Sequence, residues 1–460
     1  MNRLRALLSP PPAAPKVPEA QAPALFRTWR IRQISTLFVG YAVFYFVRKN
    51  LPVAMPDMVR SLGISTAELG LFLTLHDVVY GVSKFGNGVL ADRSNPRYFM
   101  AAGLLLSALI NLAFGLSSGI AVLGLLWLLN GWFQGMGFPP CARVLSHWVA
   151  PHERGVIWGI WNSSHQVGAA LIFLLAGSLV SAYGWRAGFV VPAVGAVVVS
   201  VFLAYRLRDT PESLGLPPPQ RLPASVLPTK AASVRAPAQT RTETESHADS
   251  QRMQNDADEG DFLHRHVFGN PELWLLCLAN FFVYVIRYGV INWAPLYLSN
   301  VRGQTLLHAG SSLAGFELAG LLGALVAGWL ADHLFAGRCS RLAAVYMLAT
   351  GFALFVFWRL SHGKLSDSAL LLLIGFCIYG PQFLVGLCAA RLVGPRAVAT
   401  AIGLTGLFGY ASSAVSGLGF GLLVARSGWD APFLFMMVGA VAAALCFVLL
   451  APAEARLRDT

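Results

Sequence analysis

Two arginines carry the first chemical signal in this sequence. Arg48 in Tyr45-Phe-Val-Arg48 and Arg287 in Tyr284-Val-Ile-Arg287 each fall deep within an apolar run long enough to cross a bilayer. A guanidinium at that depth costs ~2.5–3.5 kcal/mol even on the most lenient insertion scale, so each asks for a compensating partner. One such partner is an anion. The planar fork of arginine matches phosphate oxygens two at a time, and two forks converging from opposite sides would clamp a single phosphoryl group. Snorkelling to the interface and pairing with an internal carboxylate are the alternatives.

Other polar residues gather around these two. Tyr41 and Tyr45 lie seven and three residues before Arg48, and Tyr284 lies three before Arg287, so the rings share the arginine-bearing face. That spacing serves ligand contact and plain packing equally. Asp77, Tyr80 and Lys84 follow i, i+3, i+7 spacing on the next apolar run. Lys84 would add a cation to the cavity, whereas Asp77 either offsets the cavity's charge or pairs structurally with Lys84; Glu317 is placed to do the same for Arg287. Asn162 and His165 sit one turn apart in the polar patch Trp161-Asn-Ser-Ser-His-Gln166, which predicts a wetted lining. A proton on His165 would strengthen anion attraction.

Gly88-Val-Leu-Ala-Asp92, followed by Arg93 and Arg97, returns as Gly328-Trp-Leu-Ala-Asp332, followed by Arg338 and Arg341. The glycine permits close helix approach. The charges at the membrane edge are placed to latch two halves on one side only. Ordinary edge arginines would explain the charges but not the repeated Gly-x-Leu-Ala-Asp.

What must position these residues is a set of membrane helices. The chain has 460 residues, 56% hydrophobic and 12% charged, about half the ~25% charged share of a soluble domain. Apolar stretches lie near 34–57, 68–90, 99–117, 121–147, 156–182, 187–205, 272–298, 308–331, 342–360, 368–390, 398–425 and 431–451. Each suits the ~20 helical residues that a hydrocarbon layer of ~30 Å requires. The register of the repeat is consistent along the chain: Arg48 and Pro56 recur 239 residues on as Arg287 and Pro295, and Asp77 and Gly88–Asp92 recur 240 residues on as Glu317 and Gly328–Asp332. The expectation is an all-α membrane protein of twelve transmembrane helices in two pseudo-symmetric six-helix halves, with a ligand at the interface between halves.

The predicted organisation is a cytoplasmic tail at 1–30, a first half at 31–206, a cytoplasmic linker at 207–270, a second half at 271–452 and a short tail at 453–460. The first residues, with Arg3, Arg5 and a Pro/Ala-rich run to Ala24, have no signal-peptide pattern. The linker carries six prolines between Pro217 and Pro237 and mixed charge from Arg241 to Asp261, a composition that cannot bury a core. The net charge of +12 is concentrated in the N-terminal tail, in 206–265 and in loops with Arg93, Arg97, Arg154, Arg338, Arg341 and Arg396. That asymmetry places both termini and the linker in the cytoplasm and removes the need for nucleic acid. Six cysteines form no CxxC pair, so neither a metal nor a disulfide framework is expected, and no catalytic constellation or cofactor motif is present.

Gly88 to Arg97 is similar to the loop signature of the major facilitator superfamily. Tyr45–Asn50, Tyr80–Phe85, Trp132–Gly137 with Pro139–Arg143, Arg208–Pro211 with Leu214–Pro217, and Tyr379-Gly-Pro381 together resemble the organophosphate:phosphate antiporters, across nearly all of Trp29 to Leu450. The resemblance implies alternating access and puts the family's phosphate-binding arginines at Arg48 and Arg287, its second-helix lysine at Lys84 and its cavity histidine at His165. It places the translocation path along Tyr41, Tyr45, Tyr80, Asn162, Tyr284, Tyr379 and Tyr410. Tyr98-Phe-Met100, Trp185–Gly188 and Gly323–Gly328 are most similar to the branch that senses hexose phosphate. Ile402 and Thr405 stand where the hexose-phosphate antiporter has an acidic and a basic residue, as in the glycerol-3-phosphate branch. His76-Asp77 departs from the usual second helix.

The implied function is exchange of a sugar phosphate or glycerol 3-phosphate for inorganic phosphate at a bacterial inner membrane, by a monomer. A membrane sensor that reports external hexose phosphate to a partner kinase is the alternative. A proton-coupled carrier of another substrate, using Asp77, Glu317 and His165, is a third. If the linker only joins the halves, deleting a few dozen residues between Leu222 and Asp258 leaves transport within about twofold of the intact chain; loss of uptake in protein that still reaches the membrane would refute this.

Overall fold

The two halves begin their second helices in the same way. A left-handed glycine turns the chain, at Gly63 with φ 66° and at Gly303 with φ 62°, a conformation that costs glycine no clash. Two residues on, a hydroxyl caps the helix: Ser65 accepts from the Glu68 amide and completes a capping box, and Thr305 accepts from the His308 amide. Both pairs stand 240 residues apart, so the internal repeat extends into loop geometry.

The computed structural model describes residues 9–150, 153–222, 267–335, 338–361, 363–393 and 397–456. It is all-α, with twelve spans among the described residues. In the first half they run Ala22–Phe46 with Leu51–Leu62, Thr66–Asp92, Pro96–Leu116, Ile120–Gln134 with Phe138–Trp148, Arg154–Asn162 with Ser164–Tyr183, and Ala187–Arg206. In the second they run Pro271–Asn300, Leu306–His333, Cys339–Phe355 with Val356–Leu360, Lys364–Val393, Val398–Ala414 with Val415–Gly419 and Phe420–Ser427, and Asp430–Arg456. Ten of these are long and apolar enough by composition alone to cross a membrane. The first is interrupted, and the second carries His76, Asp77 and Lys84.

Packing repeats as the sequence does. The second span lies on the fourth as the eighth lies on the tenth, the third on the sixth as the ninth on the twelfth, and the first on the fifth as the seventh on the eleventh. Across the halves, the fifth span meets the eighth and the eleventh meets the second. This is a twofold arrangement of parallel halves about an axis along the membrane normal.

The first helix starts at Ala22, so residues 22–30, expected in the tail, are its opening turns. Arg30 there is buried against Glu153 at 2.7 Å. The preceding segment is also held: the amides of Ala14 and Val17 donate to the carbonyls of Glu212 and Gly215. Asp209 in turn takes a two-point contact from Arg143, at 3.0 and 2.8 Å. The linker residues 223–266 and the tail residues 1–8 and 457–460 lie outside the described residues.

The halves are joined tightly at one end only. Thr74 donates to the Ser413 carbonyl at 3.0 Å and accepts from the Leu418 amide at 2.8 Å, while the Thr66 hydroxyl donates to the Gly421 carbonyl. At the other seam Gly310 faces the fifth span so closely that a Cβ there would sit 2.4 Å from the Phe173 carbonyl oxygen. The opposite end holds a cavity of about 480 Å³ between the halves, running along the tenth span from Tyr379 to Ala390 and including Asn162 and His165. All six cysteines are buried, giving a quiet background for thiol labelling. Gly310→Val should force the closed end apart and shut the cavity, so a cysteine placed at Gly386 should react several-fold more slowly with a hydrophilic maleimide. Unchanged labelling would refute this coupling of the two ends.

Candidate functional site

Arg48 lies in a break and not within a helix. Residues 47–50 separate Ala22–Phe46 from Leu51–Leu62, and Pro52 opens the second piece. The carbonyls released by the break are satisfied by amides from neighbouring spans: Val47 accepts from Asn111 at 3.0 Å and Asn130 at 2.8 Å, and Phe44 accepts from Gln134 at 3.1 Å. Such backbone is tolerated at membrane depth only where protein partners of this kind surround it. The seventh span runs unbroken through Arg287.

Both guanidiniums are buried. Arg48 has the Tyr80 ring beneath it at 3.9 Å, and its Nη2 lies 3.6 Å from Oδ1 of Asp77, beyond ordinary hydrogen-bonding distance. Arg287 donates to the Tyr379 hydroxyl at 2.8 Å, and that hydroxyl donates in turn to Glu317 Oε2. The acids at equivalent positions thus face the arginines of their own halves, one directly and one through a tyrosine. Of the alternatives open in the sequence, pairing with an internal carboxylate is present in the first half at 3.6 Å and is relayed by a tyrosine hydroxyl in the second. It leaves donors over, because neither Arg48 Nε nor Arg287 Nε has a hydrogen-bond partner. Asp77 does not reach Lys84: the Lys84 ammonium sits 4.1 Å over the Phe138 ring and 5.6 Å from that of Tyr410.

The remaining candidates divide into two groups. Tyr80 and Tyr410 meet edge to face across the halves at 5.5 Å, Tyr284 packs on Tyr288 at 5.4 Å within 5.7 Å of the Arg287 guanidinium, and Tyr45 links Arg48 to His165, whose ring lies 5.7 Å away. His165 Nδ1 is held by the Asn162 carbonyl, and both residues line the cavity. Tyr41 instead packs among Tyr45, Phe138 and Trp161.

Two residues of the site were not singled out by sequence, and a third was noted only as a departure from the usual second helix. Lys49 is buried in the same break with its ammonium 5.3 Å over the Tyr288 ring. Lys49 and Tyr288 stand 239 residues apart, so pseudo-equivalent positions touch at the centre, and the repeat itself was the available signal. His76, the third, contacts Asp77 Oδ1 at 3.0 Å.

The edge motifs are not assembled. Asp92, Arg93, Asp332 and Arg338 are exposed, and with Arg97 they form no ion pair among the described residues. The close helix approach expected at Gly88 is absent, with nothing within 4 Å of a Cβ built there, because the halves are parted at this end; Gly328 does pack, against Phe383. Arg97 donates to the Ala204 carbonyl, and the Asp92 carbonyl accepts from Arg143. Elsewhere Cys339, Cys388 and Glu454 are near enough to share an ion. The Glu454 carboxylate, however, already accepts from the Cys339 and Ser340 amides and from Arg391, which is the work of a helix cap.

The family model of the Major Facilitator Superfamily matches residues 37–417. This chain belongs to that superfamily. A probable hexose phosphate transport protein of Chlamydia pneumoniae is 39% identical over 426 residues, covering 92% of this chain and 91% of that protein. The glycerol-3-phosphate transporter of Bacillus subtilis is 34% identical over 451 residues, covering 96% and 97%. The membrane sensor protein UhpC of Escherichia coli is 35% identical over 430 residues, covering 93% of each. Within the superfamily these relatives place the chain in the organophosphate:phosphate antiporter family. A bacterial homologue of the human lysosomal transporter Spinster, in an inward-facing and unoccupied conformation, shares the fold at 15% identity, with a TM-score of 0.68 over 93% of this chain and 97% of that one.

Each acid lies where it would compete with an anion for the arginine of its own half. Asp77→Asn should therefore lower the Michaelis constant for anion uptake by at least about threefold, ~0.7 kcal/mol, and lower turnover with it. Weaker binding at unchanged turnover would mark Asp77 as a ligand contact instead.

Proposed function

We propose that this chain exchanges a small phosphorylated organic anion, a sugar phosphate or glycerol 3-phosphate, for inorganic phosphate by alternating access. The observation that carries the reading is the pair of buried arginines, one from the first span of each half, each countered by a carboxylate from the second span of its half and each keeping an unpartnered Nε. The names of the relatives support the substrate class.

On this reading a phosphoryl group entering the cavity is drawn by Lys84 and passes His165 and Asn162. It is then clamped by Arg48 and Arg287, with Lys49 between them. The tyrosines around the clamp donate to its oxygens, and Asp77 and Glu317 retake the guanidiniums when it leaves. Phosphate and phosphate ester present the same oxygens to the same donors, so either one supports the crossing that returns the other. Gly88, Asp92, Arg93 and Arg97, with Gly328, Asp332 and Arg338, latch the open end when the closed end parts. The charge bias of the loops supports a bacterial inner-membrane location with cytoplasmic termini, and no second copy is needed.

A sensor of external hexose phosphate that signals to a kinase is the second reading, supported by the likeness to UhpC. Vesicles loaded with phosphate and challenged in turn with glycerol 3-phosphate, glucose 6-phosphate and phosphoglycerate separate the two: an exchanger shows counterflow, whereas a pure sensor binds without it. Arg48→Lys and Arg287→Lys should each weaken phosphate binding by about tenfold or more, because an ammonium cannot reproduce the two-point fork. Near-normal exchange in either variant would remove the clamp.

A further inference from the structure

Asp77 Oδ1 is shared. It lies 3.0 Å from His76 Nδ1 and 3.6 Å from Arg48 Nη2, so the histidine holds the carboxylate more closely than the arginine does. An ionised carboxylate only accepts, which puts the proton of the imidazole on Nδ1. The ring has no other polar anchor, since Nε2 is buried without a partner.

Packing, not hydrogen bonding, fixes the rest of His76. Its ring stacks on Trp127 at 5.1 Å and 27°, and Trp127 is itself enclosed by Phe114 and Phe189. The backbone is pinned as well, because Gly131 of the fourth span approaches so closely that a Cβ there would sit 2.5 Å from the His76 carbonyl oxygen. The fourth span thus fixes the His76 ring from outside, with its Nδ1 held 3.0 Å from Asp77 Oδ1.

We propose that His76 is a positioning residue that tethers Asp77 off Arg48. Held by the imidazole, the carboxylate stays near enough to offset the guanidinium's charge but beyond the distance at which it would occupy the fork. Arg48 is thereby kept available to a phosphoryl group while remaining compensated. The second half reaches the same end differently, by putting the Tyr379 hydroxyl between Arg287 and Glu317. Both devices hold an acid one hydrogen bond short of full contact with its arginine. This inference rests on the reading of Arg48 as an anion ligand.

His76→Phe keeps the stack on Trp127 and removes the tether. Asp77 should then close on Arg48 and raise the Michaelis constant for phosphate by about fivefold in counterflow, the opposite sign to Asp77→Asn. His76→Asn, whose amide can donate from near the Nδ1 position, should restore most of the affinity. The decisive measurement is the cycle: in an Asp77→Asn background, His76→Phe should change the constant by less than about 1.5-fold. An equal effect of His76→Phe with and without Asp77, or failure of asparagine to rescue at normal membrane levels, would overturn the tether. Indifference of phosphate binding to Arg48→Lys would instead overturn the anion site beneath it.

Discussion

Two guanidiniums held deep in a membrane protein must be neutralised at every stage of any cycle they take part in, and much of this architecture follows from that. Leaving one buried and unpaired costs several kcal/mol, so an anion site of this kind cannot simply empty. The chain supplies an internal acid to each arginine from the neighbouring span of the same half. An acid that bound too well would exclude the ligand. On the proposed reading, the separation of 3.6 Å on one side and the one intervening hydroxyl on the other are compromises between those two failures.

The halves meet this constraint with different backbones. In the second half, Arg287 projects from a continuous helix and is fixed by a 2.8 Å hydrogen bond. In the first, Arg48 and Lys49 project from a break, which spreads two cations over adjacent positions and requires three amide side chains to satisfy the carbonyls it releases. Lys49 then lies against Tyr288, its counterpart by the repeat. Arg48 rests mainly on a ring face and a distant carboxylate, so it is held by fewer hydrogen bonds than Arg287.

Much of this was legible in the sequence because the strongest signals were energetic anomalies. A charge inside an apolar run is conspicuous, and Arg48, Arg287, Asp77, Glu317 and Lys84 were found on that ground. The twelve spans and the repeat were equally plain. What stayed hidden depended on neutral groups and on backbone. The break at residues 47–50 has no sequence signature of its own, and Asn111 in one apolar run, with Asn130 and Gln134 in another, are amides whose structural and cavity-lining roles look alike. Lys49 was masked by the arginine beside it. Tyr41 shares the helical spacing of Tyr45 yet faces aromatic packing, since spacing assigns a side of a helix and not what lies against it.

The two ends of the molecule use unlike chemistry, which bears on how alternation stays reversible. The joined end is held by threonine hydroxyls on backbone groups and by glycine contact, interactions of roughly 1 kcal/mol or less each that water can replace when the halves part. The parted end carries charged residues that are solvated while separate. Exposed ion pairs gain only ~0–1 kcal/mol on forming, so if the proposed latch forms, closing that end returns about what opening the other one costs. Neither end is then a deep trap. On the proposed reading the deciding difference falls to the centre, where a bound anion would satisfy both arginines at once and the internal acids satisfy them one at a time.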